Sequence, residues 1–275
     1  MKNKTTKRER LRRFRAFSYK HTTLLALLPA IVIWCILTAL TLGDRVAPAY
    51  TGAAATAALF LCALALKRYH AKYWAAAQRE LYHNCDPHPT LSELALYIEC
   101  AGRKRRATGL KVTFSTALAL AGKYSDAEAT LSALDSGEDG ELPTEARAVI
   151  NYNFAALYCA MNMRENAKEK YDLAKELFLA SPASFSDKMP FNGTTDAEIE
   201  CYKGNGERAL KILSMIEPDN RFQEVVKKFS LAKVHYILGE KDAALSEFEW
   251  VAKNGNRLAC AGEAQAIVDT INLNK

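Results

Sequence analysis

The sequence predicts an all-α protein in which a two-helix transmembrane hairpin is followed by a solenoid of helical hairpins. Two observations favour this fold class. Residues 24–42 and 47–66 form two uncharged, mainly apolar runs that only four residues separate. From residue 67 onward, apolar residues recur at spacings of three and four, which is typical of one face of a helix, without the sustained alternation of a strand.

The two apolar runs have the length of membrane spans. They contain 19 and 20 residues, and at about 1.5 Å rise per residue each reaches about 30 Å, the thickness of a hydrocarbon core. Basic residues flank both outer ends, so we expect both termini in the cytoplasm. Neither run contains an ionisable side chain, which argues against a transporter, a pump or an intramembrane protease.

Two cleavable targeting signals are weaker interpretations of the same segment. A secretory signal peptide has a shorter apolar core and is not followed at once by a second span. Arg12-Arg13 suggests a twin-arginine signal, but Arg15 interrupts the apolar continuation that such signals need. We therefore expect an integral membrane protein with two spans.

Small residues recur every three to four positions in the second run and predict a helix-packing face, because small side chains let helix backbones approach closely in lipid. This face packs either on the other arm of the hairpin or on a second copy or a partner protein. Its members are Ala49, Gly52, Ala53, Thr56 and Ala57.

The positive charge of the chain is concentrated at its N-terminus. Residues 1–20 contain nine Lys or Arg and one Glu. The net charge of this segment exceeds the formal net charge of +6 of the whole chain, so the rest of the chain is slightly acidic. A nucleic-acid-binding protein carries its basic surface on the folded body, and we exclude that class. Leu11, Phe14 and Phe17 would share one helical face, so the tail either lies on an anionic leaflet or serves only to set topology.

Motifs that carry chemistry are missing from the sequence. The seven cysteines are widely scattered, which favours reduced thiols and a cytosolic location for the large domain. Residues 83–88 collect His, Cys and Asp, but their spacing matches no established metal site. Residues 103–106 form a basic run that either belongs to a solvated helix face or contacts lipid headgroups. We expect no catalytic residues, no cofactor and no metal, and hence no enzyme.

The domain organisation follows from these segments. A helix that continues from the second span is expected to end near Asn84, and a capping box of Thr90 and Glu93 predicts the start of the next helix. The predicted parts are a basic tail (1–22), the transmembrane hairpin (23–66), juxtamembrane helices (67–106) and a helical repeat domain (107–275).

The repeat domain is self-similar. Each copy has a large residue followed by a small one, a turn residue seven positions after the small one, an alanine five further on, and a large residue four after that. The copies begin Phe114-Ser115, Phe154-Ala155 and Leu231-Ala232, with a weaker copy around Ala197, and their alanines are Ala127, Ala167, Ala209 and Ala244. Such a pattern predicts two helices that cross at the small residue and the alanine.

These copies resemble the tetratricopeptide repeat. They depart from that family in two ways: successive alanines are 40, 42 and 35 residues apart instead of 34, and the first helix of the third copy is short and polar. The resemblance implies stacked helical hairpins, a capping helix over residues 257–273 and a concave groove that binds proteins through the inner face of the first helices. Candidate partner contacts on that face are Lys111, Asn151, Asn153 and Lys228.

Two functions follow as expectations. The first is a membrane-anchored adaptor that binds a protein partner through the repeat groove at the cytoplasmic face. The alternative is a structural or assembly subunit of a membrane complex, with the transmembrane hairpin as its interface.

Overall fold

A computed structural model describes residues 13–18, 20, 21, 25, 27, 29, 31–33, 35, 36, 48–101, 106–136, 142–182 and 193–273. The elements in this part of the chain are helices, so the all-α fold class is confirmed. The chain divides into two compact units. Unit 1 comprises Met1–Ala76 and Ala95–Gly102, and unit 2 comprises Ala77–Leu94 and Arg103–Lys275.

Unit 1 contains most of α1 (Pro48–Asn84) and the end of α2 (His88–Ala101). Residues 13–18 of the basic tail are helical, and the Arg15 guanidinium lies 3.9 Å from the centre of the Tyr73 ring. Phe14 and Phe17 remain about half exposed on the same helical segment. Both interpretations of the tail therefore stay open.

The predicted transmembrane hairpin falls only partly within the described residues. Most of the first span lies outside them, whereas the second lies in α1. Among the helices that the structure describes, none combines the length and the apolar character that crossing a bilayer requires. The hairpin thus stays a prediction. In α1, Ala53, Thr56 and Ala57 are exposed, and the side chains of Ala49 and Gly52 lie outside the described part.

The link between α1 and α2 corrects one local prediction. Helix α1 ends at Asn84 as expected, but α2 begins at His88, two residues before the proposed cap. The Asp86 carboxylate accepts a hydrogen bond from the His88 backbone N–H at 3.0 Å. The Thr90 hydroxyl instead donates to the carbonyl of Ala77 at 3.1 Å. The capping box of Thr90 and Glu93 is wrong because the helix begins before Thr90, whose hydroxyl bonds to the preceding helix.

The described residues of unit 2 from 106 onward form four helix pairs and a last helix, and the two helices of each pair pack against each other. We call these pairs hairpins 1 to 4. They are α3 (Arg106–Leu120) with α4 (Tyr124–Asp135), α5 (Thr144–Ala160) with α6 (Arg164–Leu179), α7 (Thr194–Tyr202) with α8 (Gly206–Met215), and α9 (Arg221–Ile237) with α10 (Lys241–Asn254). Helix α11 (Ala259–Leu273) follows them.

The four turns have the same geometry. Gly122, Asn162, Gly204 and Gly239 have φ between 56° and 88°, the left-handed conformation that Gly and Asn adopt most readily. The next residue has ψ between 58° and 73° in every copy. In each turn this residue donates its N–H to the carbonyl five positions earlier, which closes the first helix: Lys123 to Leu118, Met163 to Tyr158, Asn205 to Glu200 and Glu240 to His235.

The predicted crossing positions form the interior of each hairpin. The four alanines of the second helices have no exposed surface, and the small residues of the first helices are also buried (Ser115, Ala155, Ala197 and Ala232). A larger side chain at either position would separate the two backbones. Hairpin 3, whose first helix is only nine residues long, therefore shares both the turn and the crossing of the other three.

The last hairpin of unit 2 also holds the segment that precedes the repeats. Leu81 and Cys85 belong to one buried cluster with Val225, Phe248 and Val268 of α9, α10 and α11. The Asn256 amide donates to the carbonyl of Asn84 at 2.6 Å, and the Arg257 guanidinium pairs with Asp86 at 3.2 Å. Residues 81–86 are thus fixed to the end of the repeat domain by both apolar and polar contacts.

Candidate binding cavity

A cavity of about 180 Å³ lies among the first helices of unit 2. One repeat position, directly after the small crossing residue, contributes to its wall in every hairpin. The position three residues earlier contributes in hairpins 2 to 4. The first set is Thr116, Ala156, Glu198 and Lys233, and the second is Asn153, Thr195 and Ser230.

A buried ion pair occupies one side of the cavity. Lys233 donates to the Glu198 carboxylate at 2.5 Å and to the carbonyl of Cys159 at 2.8 Å, and Ser230 donates to the other Glu198 oxygen at 2.6 Å. Burial lowers the pKa of Lys233, but the Glu198 carboxylate outweighs burial, so the pKa lies above its ordinary value. Lys233 is therefore held charged within the wall.

The cavity wall carries a second carboxyl group with a different environment. Glu263 of α11 accepts a short hydrogen bond from the Tyr124 hydroxyl at the start of α4. Burial raises the pKa of Glu263 above its ordinary value, although the Tyr124 hydroxyl and the charge of Lys233 act in the opposite direction. No ion pair to Glu263 occurs among the described residues.

The other two acids of α7 point away from the cavity and are satisfied elsewhere. Asp196, only 2% exposed, accepts hydrogen bonds from the hydroxyls of Tyr152 at 2.9 Å and Tyr171 at 2.5 Å, both in hairpin 2. Glu200 accepts from the amide of Asn205 at 2.9 Å, next to the turn. The polar sequence of α7 therefore reflects buried carboxylates with partners in neighbouring helices.

The two cysteines of the cavity wall are protonated thiols. Burial raises the pKa of Cys159 well above its ordinary value, and burial together with Glu263 raises the pKa of Cys260 to about 12. Because the thiolate is the nucleophilic form, neither group is activated for attack. The arrangement of charge and apolar surface suits binding of a ligand better than covalent chemistry.

The predicted partner contacts are not brought together by the fold. Asn153 lies in the cavity wall, and Lys111 is half-buried on α3. Asn151 is 1% exposed, and its amide donates to the carbonyl of Arg147 in its own helix. Lys228 of α9 pairs with Glu247 of α10 at 2.8 Å and lies over the Trp250 ring. Their role in binding a partner stays a prediction.

No group of three or more potential metal ligands converges within the described residues. In the segment 83–88, Cys85 is buried and Asp86 pairs with Arg257, so two of its side chains have structural partners.

Sequence reasoning missed Glu198, Lys233 and Glu263. A signal for the first two was present, because the position after each crossing residue varies from Thr to Ala, Glu and Lys across the copies. The crossing residues are small in every copy. A neighbouring position whose side chain differs from copy to copy, and which lies on the same side of the repeats, is a candidate for binding a ligand. Glu263 had no such signal, since it lies outside the four copies.

Comparison of the chain with protein-family models, with curated proteins and with solved structures finds no match.

Proposed function

We propose that the chain is a membrane-anchored adaptor, in which tetratricopeptide-like hairpins bind a protein partner at the cytoplasmic face. The observation that carries this proposal is the equivalence of the four turns and crossings in unit 2. A scaffold of repeated hairpins typically presents variable side chains from a constant framework, and that arrangement serves recognition. The uncharged runs at residues 24–42 and 47–66 supply the proposed anchor.

Two residues of the predicted inner face are the best candidates for contact with the partner. Lys228 keeps 28% of its side chain exposed, and Lys111 is half-buried. Long basic side chains at such positions suit an acidic or carboxylate-bearing segment of a partner. Lys228 is already paired with Glu247 at 2.8 Å, so a carboxylate of a partner would share or replace that contact.

The test uses photo-crosslinking of the full chain in native membranes. A photoreactive residue replaces Lys111 or Lys228, and Lys253, an exposed lysine on the second helix of hairpin 4, provides the matched control. We expect the chain to resist extraction with alkaline carbonate and to form a defined protein adduct from positions 111 and 228 only. If alkaline carbonate extracted the chain from the membrane, the proposed membrane anchor would be wrong. If all three positions formed adducts equally, the proposed binding face would be wrong.

The alternative is a structural subunit of a membrane complex. The exposure of Ala53 and Ala57 favours it, because small side chains on an exposed helix face let another helix approach closely. A photoreactive residue at Ala53 distinguishes the two functions in the same experiment. An adduct from position 53 together with none from position 111 or 228 would favour the subunit. Replacing Gly52 and Ala53 by Leu should then abolish co-purification of the adduct's partner.

A further inference from the structure

The cavity of unit 2 is large enough for a small ligand. Its volume of about 180 Å³ exceeds the roughly 150 Å³ of an engineered apolar cavity that binds benzene. Much of the wall is apolar, with Leu120, Leu157, Phe229 and Leu258 among its residues. A six-membered ring with a short substituent therefore fits the available space.

The charges of the wall do not cancel. Glu198 and Lys233 form a closed pair, since Lys233 already bonds to Glu198 and to a backbone carbonyl. Glu263 has a hydroxyl partner, Tyr124, and no cationic one among the described residues. The described wall thus holds one carboxylate more than it holds cations when Glu263 is ionised. A buried carboxylate is stabilised by a cation within hydrogen-bond distance.

We infer that this cavity binds a small organic ammonium ion, with its ammonium group on Glu263 and its apolar part against Phe229 and Leu258. The inference goes beyond the adaptor function, since it concerns the interior of the repeats and not a protein-binding face. A ring-bearing primary amine combines the two features that the wall requires. A neutral analogue would leave the carboxyl without a cation, and an anion would meet like charge.

Proton linkage gives the site a pH dependence of definite sign. The groups that face Glu263 are Tyr124, Cys260, Lys233 and Glu198. Burial raises the pKa of Glu263, so the carboxyl is protonated over a wider range than an exposed glutamate. An ammonium ligand favours the ionised form, and its affinity therefore rises as the pH rises through the pKa of Glu263. Below that pKa the affinity should approach that of a neutral analogue.

The test is calorimetric titration of the full chain in lipid nanodiscs, with empty nanodiscs as the blank. The probes are benzylamine, benzyl alcohol and benzoate, which share a ring and differ in charge. We expect benzylamine to bind about ten-fold or more tightly than benzyl alcohol, because only the amine makes a charge-assisted contact to the half-buried Glu263 carboxylate. We expect benzoate not to bind. Equal binding of benzylamine and benzyl alcohol, or binding of neither, would overturn the proposal.

Variants locate the site. Glu263→Gln keeps the shape of the side chain and the acceptor for Tyr124, and should weaken benzylamine binding about ten-fold while leaving benzyl alcohol unchanged. Glu217→Gln, at an exposed acid outside the cavity, is the matched control and should bind like the wild type. Ala156→Leu fills the cavity from α5 without touching a charge, and should abolish binding of both probes. Unchanged benzylamine affinity in either cavity variant would contradict the assignment.

Discussion

The first helices of hairpins 3 and 4 occupy the same place in their repeats but differ in the charge that they bury. Helix α9 buries a single charged side chain, Lys233, beside apolar residues such as Val225 and Phe229. Helix α7 buries three carboxyl groups, those of Asp196, Glu198 and Glu200. Their turns and crossing residues are nevertheless equivalent. The difference indicates that the backbone turn and the small crossing residues define the repeat, while other positions of the first helix accept buried charge where neighbouring helices supply partners.

The partners of α7 come from both sides of hairpin 3. Tyr152 and Tyr171 of hairpin 2 donate to Asp196, and Ser230 and Lys233 of hairpin 4 donate to Glu198. In the assembled unit these donors offset a desolvation cost of several kcal/mol for each buried ion. Burial of the α7 carboxylates therefore requires donors from both hairpin 2 and hairpin 4.

The largest expected effect comes from removing the cation that α9 supplies to α7. Lys233→Met leaves the Glu198 carboxylate buried with only the hydroxyls of Ser230 and Tyr202 as donors, and should reduce the free energy of unfolding by about 3–5 kcal/mol. Urea unfolding in mild detergent, followed by circular dichroism, measures this loss. Lys241→Met, at an exposed lysine of α10, is the matched control and should change stability by less than about 0.5 kcal/mol.

A double variant separates burial of charge from loss of packing. Glu198→Met together with Lys233→Met should recover most of the stability, because replacing both partners of a buried pair by apolar side chains is often neutral or stabilising. If Lys233→Met alone proved harmless, the pair would not be buried as described, and the contrast between α7 and α9 would disappear.

A smaller effect is expected at the turns, where the two hairpins should behave alike. Gly204 and Gly239 have φ of 88° and 82°, and an added Cβ at either would meet no atom within 4 Å. Gly204→Ala and Gly239→Ala should each cost about 1–2 kcal/mol, through backbone conformation alone. The same urea titration compares them.

Gly109 supplies the opposite control for the turns. It lies within α3, where a Cβ also has open space, so Gly109→Ala should stabilise by about 0.5–1 kcal/mol. Unequal costs at residues 204 and 239 would show that the turn of hairpin 3 is not equivalent to that of hairpin 4.

Sequence reasoning reaches the helices, turns and crossings of this fold because they depend on local residue types. Gly122 and Ala127, for example, are identified by spacing and side-chain size alone. The cavity could not be predicted in the same way. Lys233 meets Glu198 across 35 positions, and Tyr124 meets Glu263 across 139, so these contacts follow from how the hairpins stack.

The placement of the inner face shows the same limit. The chosen residues Lys111, Asn151 and Lys228 precede the small residues of their helices by four positions, whereas the first set of cavity-wall residues follows the small residue by one. All three are five residues from that wall position, which turns a side chain by about 140° around a helix with 100° per residue. Only the packed structure decides which of the two directions faces inward.

The most direct test of the account concerns whether hairpin 3 is an integral repeat of unit 2, because it supplies Glu198 to the cavity and joins hairpins 2 and 4. Hydrogen exchange of the full chain in nanodiscs measures the protection of backbone amides in α7 and α9. We expect protection of Ile199 and Cys201 to match that of Phe229 within about ten-fold, and to fall with it in Lys233→Met. Exchange of α7 at the rate of an unfolded peptide, beside a protected α9, would contradict the account.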